Sequence, residues 1–208
     1  MPSFGNVFGK DSRTFSPEIQ PVWISVDESK LSGGTVDISG LKKGDLVPAA
    51  LPVYLPKMGG TAQLIIGFSV KANVATTDTA VDFDWSKSYG FKLKKGDIVG
   101  KINTATGVAA KAAALGDYTE GTGFAITAND LGALTAGDLL YVISAAGSNK
   151  NVVLPNGLSR RELYVDLANP TYGTINVVTK GQILEDRIPE IPAAFKAALP
   201  GITFEKEL

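Results

Sequence analysis

Apolar and polar residues alternate over short runs along this chain and never hold a helical period for long. Val81, Phe83, Trp85 and Tyr89 alternate with Asp82, Asp84, Ser86 and Ser88. A period of two predicts a strand with one buried and one polar face. Residues 22–26 (Val-Trp-Ile-Ser-Val) are rich in strand formers, and residues 35–38 alternate behind Gly33-Gly34, where a turn is expected. Residues 52–56 form a strand bounded by prolines, which predicts a sheet edge. Residues 63–70 make an apolar run of strand length, and 139–144, 151–154, 161–167 and 174–179 continue the series. Pro155-Asn156-Gly157 is expected to turn, because Asn-Gly tolerates positive φ.

Helix signals are few. Residues 108–115 are Ala-rich and stop at Gly116, which predicts a helix of at most two turns. Thr127-Ala128-Asn129-Asp130 carries a capping pattern, but Gly132 follows too soon for a long helix. Residues 192–199 predict a short helix opened by Pro192 and ended by Pro200-Gly201.

One pattern recurs. Leu41-Lys42-Lys43-Gly44-Asp45-Leu46-Val47 is nearly repeated as Leu93-Lys94-Lys95-Gly96-Asp97-Ile98-Val99, and again as Leu134-Thr135-Ala136-Gly137-Asp138-Leu139-Leu140. Val178-Thr179-Lys180-Gly181-Gln182-Ile183-Leu184 is a degenerate fourth copy. The copies are spaced too unevenly for a solenoid. Each unit reads as turn chemistry. Glycine supplies positive φ, aspartate bonds the turn backbone, and two apolar residues start a strand.

Composition narrows the function. The 208 residues are 44% hydrophobic and 20% charged, with a net charge of −1, which fits a globular chain without a broad electrostatic claim on nucleic acid or anionic membrane. Cysteine and histidine are both absent. That removes disulfides, thiol nucleophiles, histidine general bases and Cys/His zinc sites. No apolar run reaches the 18–20 residues or so of a transmembrane helix. Met1 to Asn6 has neither a basic start nor an apolar run, so no signal peptide is expected.

The candidate sites all have a plainer structural reading. Asp45, Asp97 and Asp138 occupy the same place in similar turns and are expected to be structural. Asp82-Phe83-Asp84 has oxygen ligands at alternate positions, but Lys87 and Leu93 stand where a calcium loop needs Gly and Glu. Gly33-Gly34, Gly59-Gly60 and Gly121-Thr122-Gly123 lack phosphate-loop spacing. Lys42/Lys43, Lys94/Lys95 and Arg160-Arg161 are basic pairs flanked by acids. Residues 118–123 predict an exposed loop of the kind that carries binding. Glu185, Asp186, Glu190, Glu205 and Glu207 make the end of the chain acidic, while Ile202-Thr203-Phe204 is apolar enough to dock. No catalytic, cofactor or metal residue is assigned, and no enzymatic activity or calcium binding is expected.

These features predict an all-β, barrel- or sandwich-like domain over residues 22–188. An N-terminal arm (1–21) precedes it, and a short C-terminal helix and tail (189–208) follow. The arm carries Phe4, Phe8 and Phe15 between glycines and prolines, and it either packs on a partner or folds back on its own domain.

Residues 134–141, Ser144-Ala145-Ala146-Gly147, Leu154-Pro155-Asn156-Gly157, 177–185 and the closing 195–204 recur in an order that resembles the head fibre proteins of tailed phages. The likeness is to those of crAss-like and other gut Bacteroidales phages. Residues 44–53 look like that family's opening strand-turn-strand, and the resemblance spans roughly 40–205. It implies a non-enzymatic virion protein made in the bacterial cytoplasm and placed on the outer face of the capsid. The implied partners are the major capsid protein, other virion surface proteins and further copies of itself in a homotrimer. With no fibrous repeat, a short knob or auxiliary capsid protein fits better than a long fibre. No nucleic-acid or membrane partner is expected. The rival reading is a carbohydrate-binding or host-adhesion module using Trp23, Trp85 and exposed tyrosines, and burial of both tryptophans would count against it.

Overall fold

The computed structural model describes residues 22–56, 61–168 and 170–207. The N-terminal arm with its three phenylalanines, and Gly59-Gly60, lie outside the described residues. The chain opens with β1 (Trp23–Asp37), β2 (Leu46–Val47), β3 (Pro52–Tyr54) and β4 (Thr61–Leu64). It continues through β5 (Phe68–Val70), β6 (Ala80–Val81), β7 (Phe83–Asp84), β8 (Ile98–Lys101) and β9 (Val108–Ala114). Then come β10 (Tyr118–Thr119), β11 (Gly123–Ala125), β12 (Leu139–Val142) and β13 (Gly147–Asn151). The last part holds β14 (Gly157–Ser159), β15 (Leu163–Tyr164), β16 (Tyr172–Leu184), the helix α1 (Ala193–Ala197) and β17 (Ile202–Glu205). The fold is all-β, as the alternation predicts.

The two ends of the chain build one body. β1 pairs with β4, β4 with β3, β3 with β14, β14 with β16, and β16 returns to β1, so the pairings close a five-stranded ring. Val36, Leu55, Ala62, Ile175 and Val177 are buried together in one core cluster that draws on four of its strands and their connections. Closure removes the open edges that an isolated sheet would expose. Residues 65–156 leave this ring and return to it. They form a six-stranded sheet, β13-β9-β8-β12-β5-β7, and a small sheet, β10-β11-β6. Phe68, Phe83, Val99 and Leu140 of the larger sheet share a core with Val81 and Phe124 of the smaller. Phe83 meets Phe124 edge-on at 6.2 Å.

A third cluster joins the two bodies: Ile183 and Ile202 from the barrel, Ile102, Tyr141 and Ile143 from the insertion, and Phe195 from α1. The C-terminal stretch is therefore no flanking tail. β17 lies parallel to β16 and extends the barrel sheet, with Ile183 opposite Phe204. Arg187 pairs with Glu207, and Asp186 accepts the Glu207 N–H at 3.0 Å.

Several local expectations are corrected. Residues 108–115 are a strand, not a helix. β9 is paired on both sides, and a Cβ on Gly100 of β8 would stand 2.6 Å from the Lys111 carbonyl oxygen and 2.9 Å from Ala109 Cβ. Alanine is used there because the strands crowd, and tertiary packing overrides its helix propensity. Residues 127–130 form a turn. Asn129 has φ +67° and is held by Lys111, whose Nζ donates to its side-chain oxygen at 2.6 Å. Gly33-Gly34 is no turn either: it lies inside β1 at a register shift. A Cβ on Gly34 would meet Leu55 at 2.8 Å and Ala62 at 2.9 Å.

The run 63–70 divides at Gly67 between β4 and β5, in different sheets. β3 is not an edge, since it pairs with both β4 and β14. The alternation from Val81 holds only to Asp84, where a 3-10 turn follows (Trp85–Lys87). Asn156-Gly157 works without positive φ. The Asn156 amide accepts from Leu55 N–H at 2.9 Å and donates to Leu55 C=O at 2.7 Å, acting as an extra length of backbone.

Candidate functional site: turns and exposed surfaces

The recurring Gly-Asp unit is a real structural module in three of its four copies. Gly44, Gly96 and Gly137 have φ of +99°, +93° and +92°. Those values suit the third residue of a type II turn. In each copy the aspartate carboxylate accepts the N–H three residues earlier: Lys42 to Asp45 at 2.7 Å, Lys94 to Asp97 at 2.7 Å and Thr135 to Asp138 at 2.8 Å. Each glycine N–H also donates to a facing chain, at Val165, Leu115 and Val70, always at 2.8 Å. The same facing residues donate back to the aspartate carbonyls at 2.8–3.0 Å. The carboxylates thus have local work in three separate places. The fourth copy is a correction: Gly181 lies inside β16, where a Cβ would stand 2.5 Å from Ser25 O. Asp78 repeats the carboxylate lock without a glycine, accepting Ala75 N–H at 2.8 Å, and Thr-Thr-Asp was its only signal in the sequence.

A Cβ on Gly96 meets nothing within 4 Å. Gly96→Val should therefore cost only the left-handed backbone penalty, about 1–2 kcal/mol. Thermal melting checks this, and an unchanged midpoint would mean the turn does not need that φ.

Asp82 and Asp84 do not converge. Asp82 pairs with Lys71 at 2.8 Å, which raises the lysine above its ordinary pKa, while Asp84 accepts from the Ser86 hydroxyl at 2.6 Å. Among the described residues no three carboxylates gather as a metal site would require. Asp138 is also paired, with Lys101 at 2.7 Å. Partial burial opposes its ionisation, but the Lys101 and Thr135 bonds prevail and hold it below the ordinary carboxylate range. Lys95 pairs with Asp117 across an exposed gap at 2.8 Å.

Both tryptophans are half-buried and pack against cores. Trp85 meets Phe68 and Phe124 edge-on, each at 6.4 Å. The Trp23 indole N–H is sealed without a hydrogen-bond partner. Neither tryptophan is fully buried, and Trp85 lines a cavity of about 680 Å³ with Tyr118, Glu120 and Phe124. Tyr118 does reach solvent, at the start of its expected exposed loop, and its ring leans on Phe124 at 5.0 Å.

Four of the exposed large side chains lie on or just after one short ribbon. Leu46 of β2 faces Tyr164 of β15 across a two-stranded ribbon, and both side chains are exposed. The connection from this ribbon to β16 carries Leu167, 59% exposed, and ends at Tyr172, 60% exposed. Leu163 packs over Gly173, which seats the ribbon on the start of β16. Neighbouring exposed apolar side chains of this size mark contact surfaces more often than scattered single ones do. These positions are not legible in the chain alone, because an exposed and a buried leucine look alike in a strand of two residues.

No protein-family model, curated protein or solved structure matches the chain.

Proposed function

We propose that the protein is a structural assembly protein that decorates the outer surface of a phage capsid as a homotrimer. The capsid setting rests on the ordered resemblance to head fibre proteins. The observation that favours assembly is the set of large exposed side chains on the β2–β15 ribbon and the chain that follows it, Leu46, Tyr164, Leu167 and Tyr172. They supply the apolar centre of a contact, and the charged turns around them supply a polar rim. A standard interface needs about 800 Å² per partner, so these residues are its core and not its whole extent.

The test uses purified protein and capsids stripped of it. Light scattering should give a trimer, and Leu167→Glu with Tyr172→Glu should lower the association state while the barrel stays folded. Deleting residues 1–20 should leave a folded protein that no longer binds capsids, since the arm's phenylalanines are the favoured anchor and 202–204 the alternative. A monomer at high concentration removes the trimer. Full occupancy by the truncated protein removes the arm as anchor, and no binding by the full chain removes the capsid role.

A further inference from the structure

Two adjoining cavities lie where the insertion meets the stretch leading into α1. One measures about 390 Å³ and the other about 400 Å³, and Leu139, Tyr141, Glu190 and Pro192 line both. Tyr141 lies between them. It is 4% exposed, and its hydroxyl makes no hydrogen bond among the described residues. The hydroxyl is not sealed in, because the Trp23 indole is the only sealed, unpaired side-chain group among those residues. It lies over Gly67, itself part of the wall, where a Cβ would stand 3.1 Å from the oxygen. Its hydrogen bonds are therefore completed from the cleft, by solvent or by a ligand that displaces it.

The other polar groups of the walls indicate what would complete it. Asp138 Oδ2 takes the Thr135 amide and the Lys101 ammonium, leaving Oδ1 available. Glu190 is exposed, and Lys101 and Thr104 add donors on the rim of the second cavity. Burial, with Glu190 adding to it, pushes the Tyr141 pKa up to about 12, so the phenol stays a neutral donor and acceptor over any ordinary pH. An anion would meet two carboxylates. A cation would meet the Lys101 ammonium and too few oxygens. A purely apolar ligand would strand every polar group. A ligand rich in hydroxyls donates hydrogen bonds to the carboxylates and accepts them from Tyr141 and Lys101, with its apolar ring face against Leu139 and Pro192.

We propose that this cleft binds a neutral saccharide of one or two pyranose rings, held by hydrogen bonds and not by a tryptophan platform. The site is independent of capsid attachment, so it is tested on the isolated full chain. Cellobiose, maltose and diacetylchitobiose serve as probes in saturation-transfer NMR and calorimetry, with galacturonate and calcium chloride as charged controls. At least one neutral probe should bind with millimolar or better affinity, and the charged controls should not. Tyr141→Phe and Glu190→Gln should each weaken binding about tenfold or more without shifting the melting midpoint. Gly67→Ala, which crowds the hydroxyl and the ring that carries it, should weaken binding as well, with some loss of stability. No binding of any neutral probe at about 20 mM overturns the proposal. Binding that survives both substitutions, or binding of calcium or galacturonate alone, overturns it equally.

Discussion

Replacing Phe195 with alanine is expected to destabilise the protein by about 3–5 kcal/mol. The side chain is fully buried, and its ring meets Tyr141 edge-on at 5.4 Å. It belongs to the cluster shared by barrel and insertion, so the cavity left behind would lie between the two bodies rather than within one. The helix that carries it has five residues, too short to persist without packing. Its backbone is fixed at one further point, where Ala194 N–H donates to Thr104 C=O of the insertion at 2.7 Å. Lys196 adds a contact to Glu185 at 2.5 Å, but a partly exposed pair of this kind contributes little. At a chain of this size the loss corresponds to a fall in melting temperature of roughly 6–20 °C. Chemical denaturation followed by tryptophan fluorescence and by far-UV circular dichroism checks it. A loss under about 1 kcal/mol would mean the helix is not part of the core.

How far the sequence led can be followed residue by residue. The Gly-Asp turns were legible because their chemistry is local: a glycine that must take positive φ and a carboxylate that reaches three residues back are both visible in six letters. The strand at Val81–Asp84 was legible because one face is buried and the other wet. What failed was non-local. β1 and β16 are separated by the whole insertion, so nothing near Trp23 reveals that Ile183 lies beside it. Nor does anything near Gly33-Gly34 show that Leu55 and Ala62 need the space a side chain would take. The alanines of β9 carry helix propensity, and only pairing with β8 and β13, with Gly100 close by, makes them strand residues. Tyr141 sits in an apolar run, where its hydroxyl gives no sign of being unpaired. In the stretch from Glu185 to Glu207 the short helix was legible from Pro192 and Pro200-Gly201, but the strand β17 and the ion pair were not, because their partners are β16 and Arg187.

Gly123→Ala is the second substitution with a large expected effect, again about 3–5 kcal/mol, and it acts through backbone instead of volume. Gly123 opens β11 with φ +98°, a conformation that costs any L-residue about 1–2 kcal/mol. A Cβ there would also stand 2.2 Å from the Val81 carbonyl oxygen and 2.7 Å from Asp82 Cα. Neither atom can swing aside, since both belong to the β6–β7 chain. β11 pairs with β6 through Phe124 and Val81, so relieving the clash means opening that ladder. Opening it would lift Phe124 off Phe83 and Trp85. Gly121, two residues earlier, separates the two contributions. Its φ is +81°, yet a Cβ there meets nothing within 4 Å. Gly121→Ala should therefore lose only about 1 kcal/mol, and the difference between the two variants isolates the contact with Val81. Denaturation midpoints of the two variants, measured side by side, decide the matter. Equal losses would mean that β11 can shift away from β6 without disturbing the aromatic core.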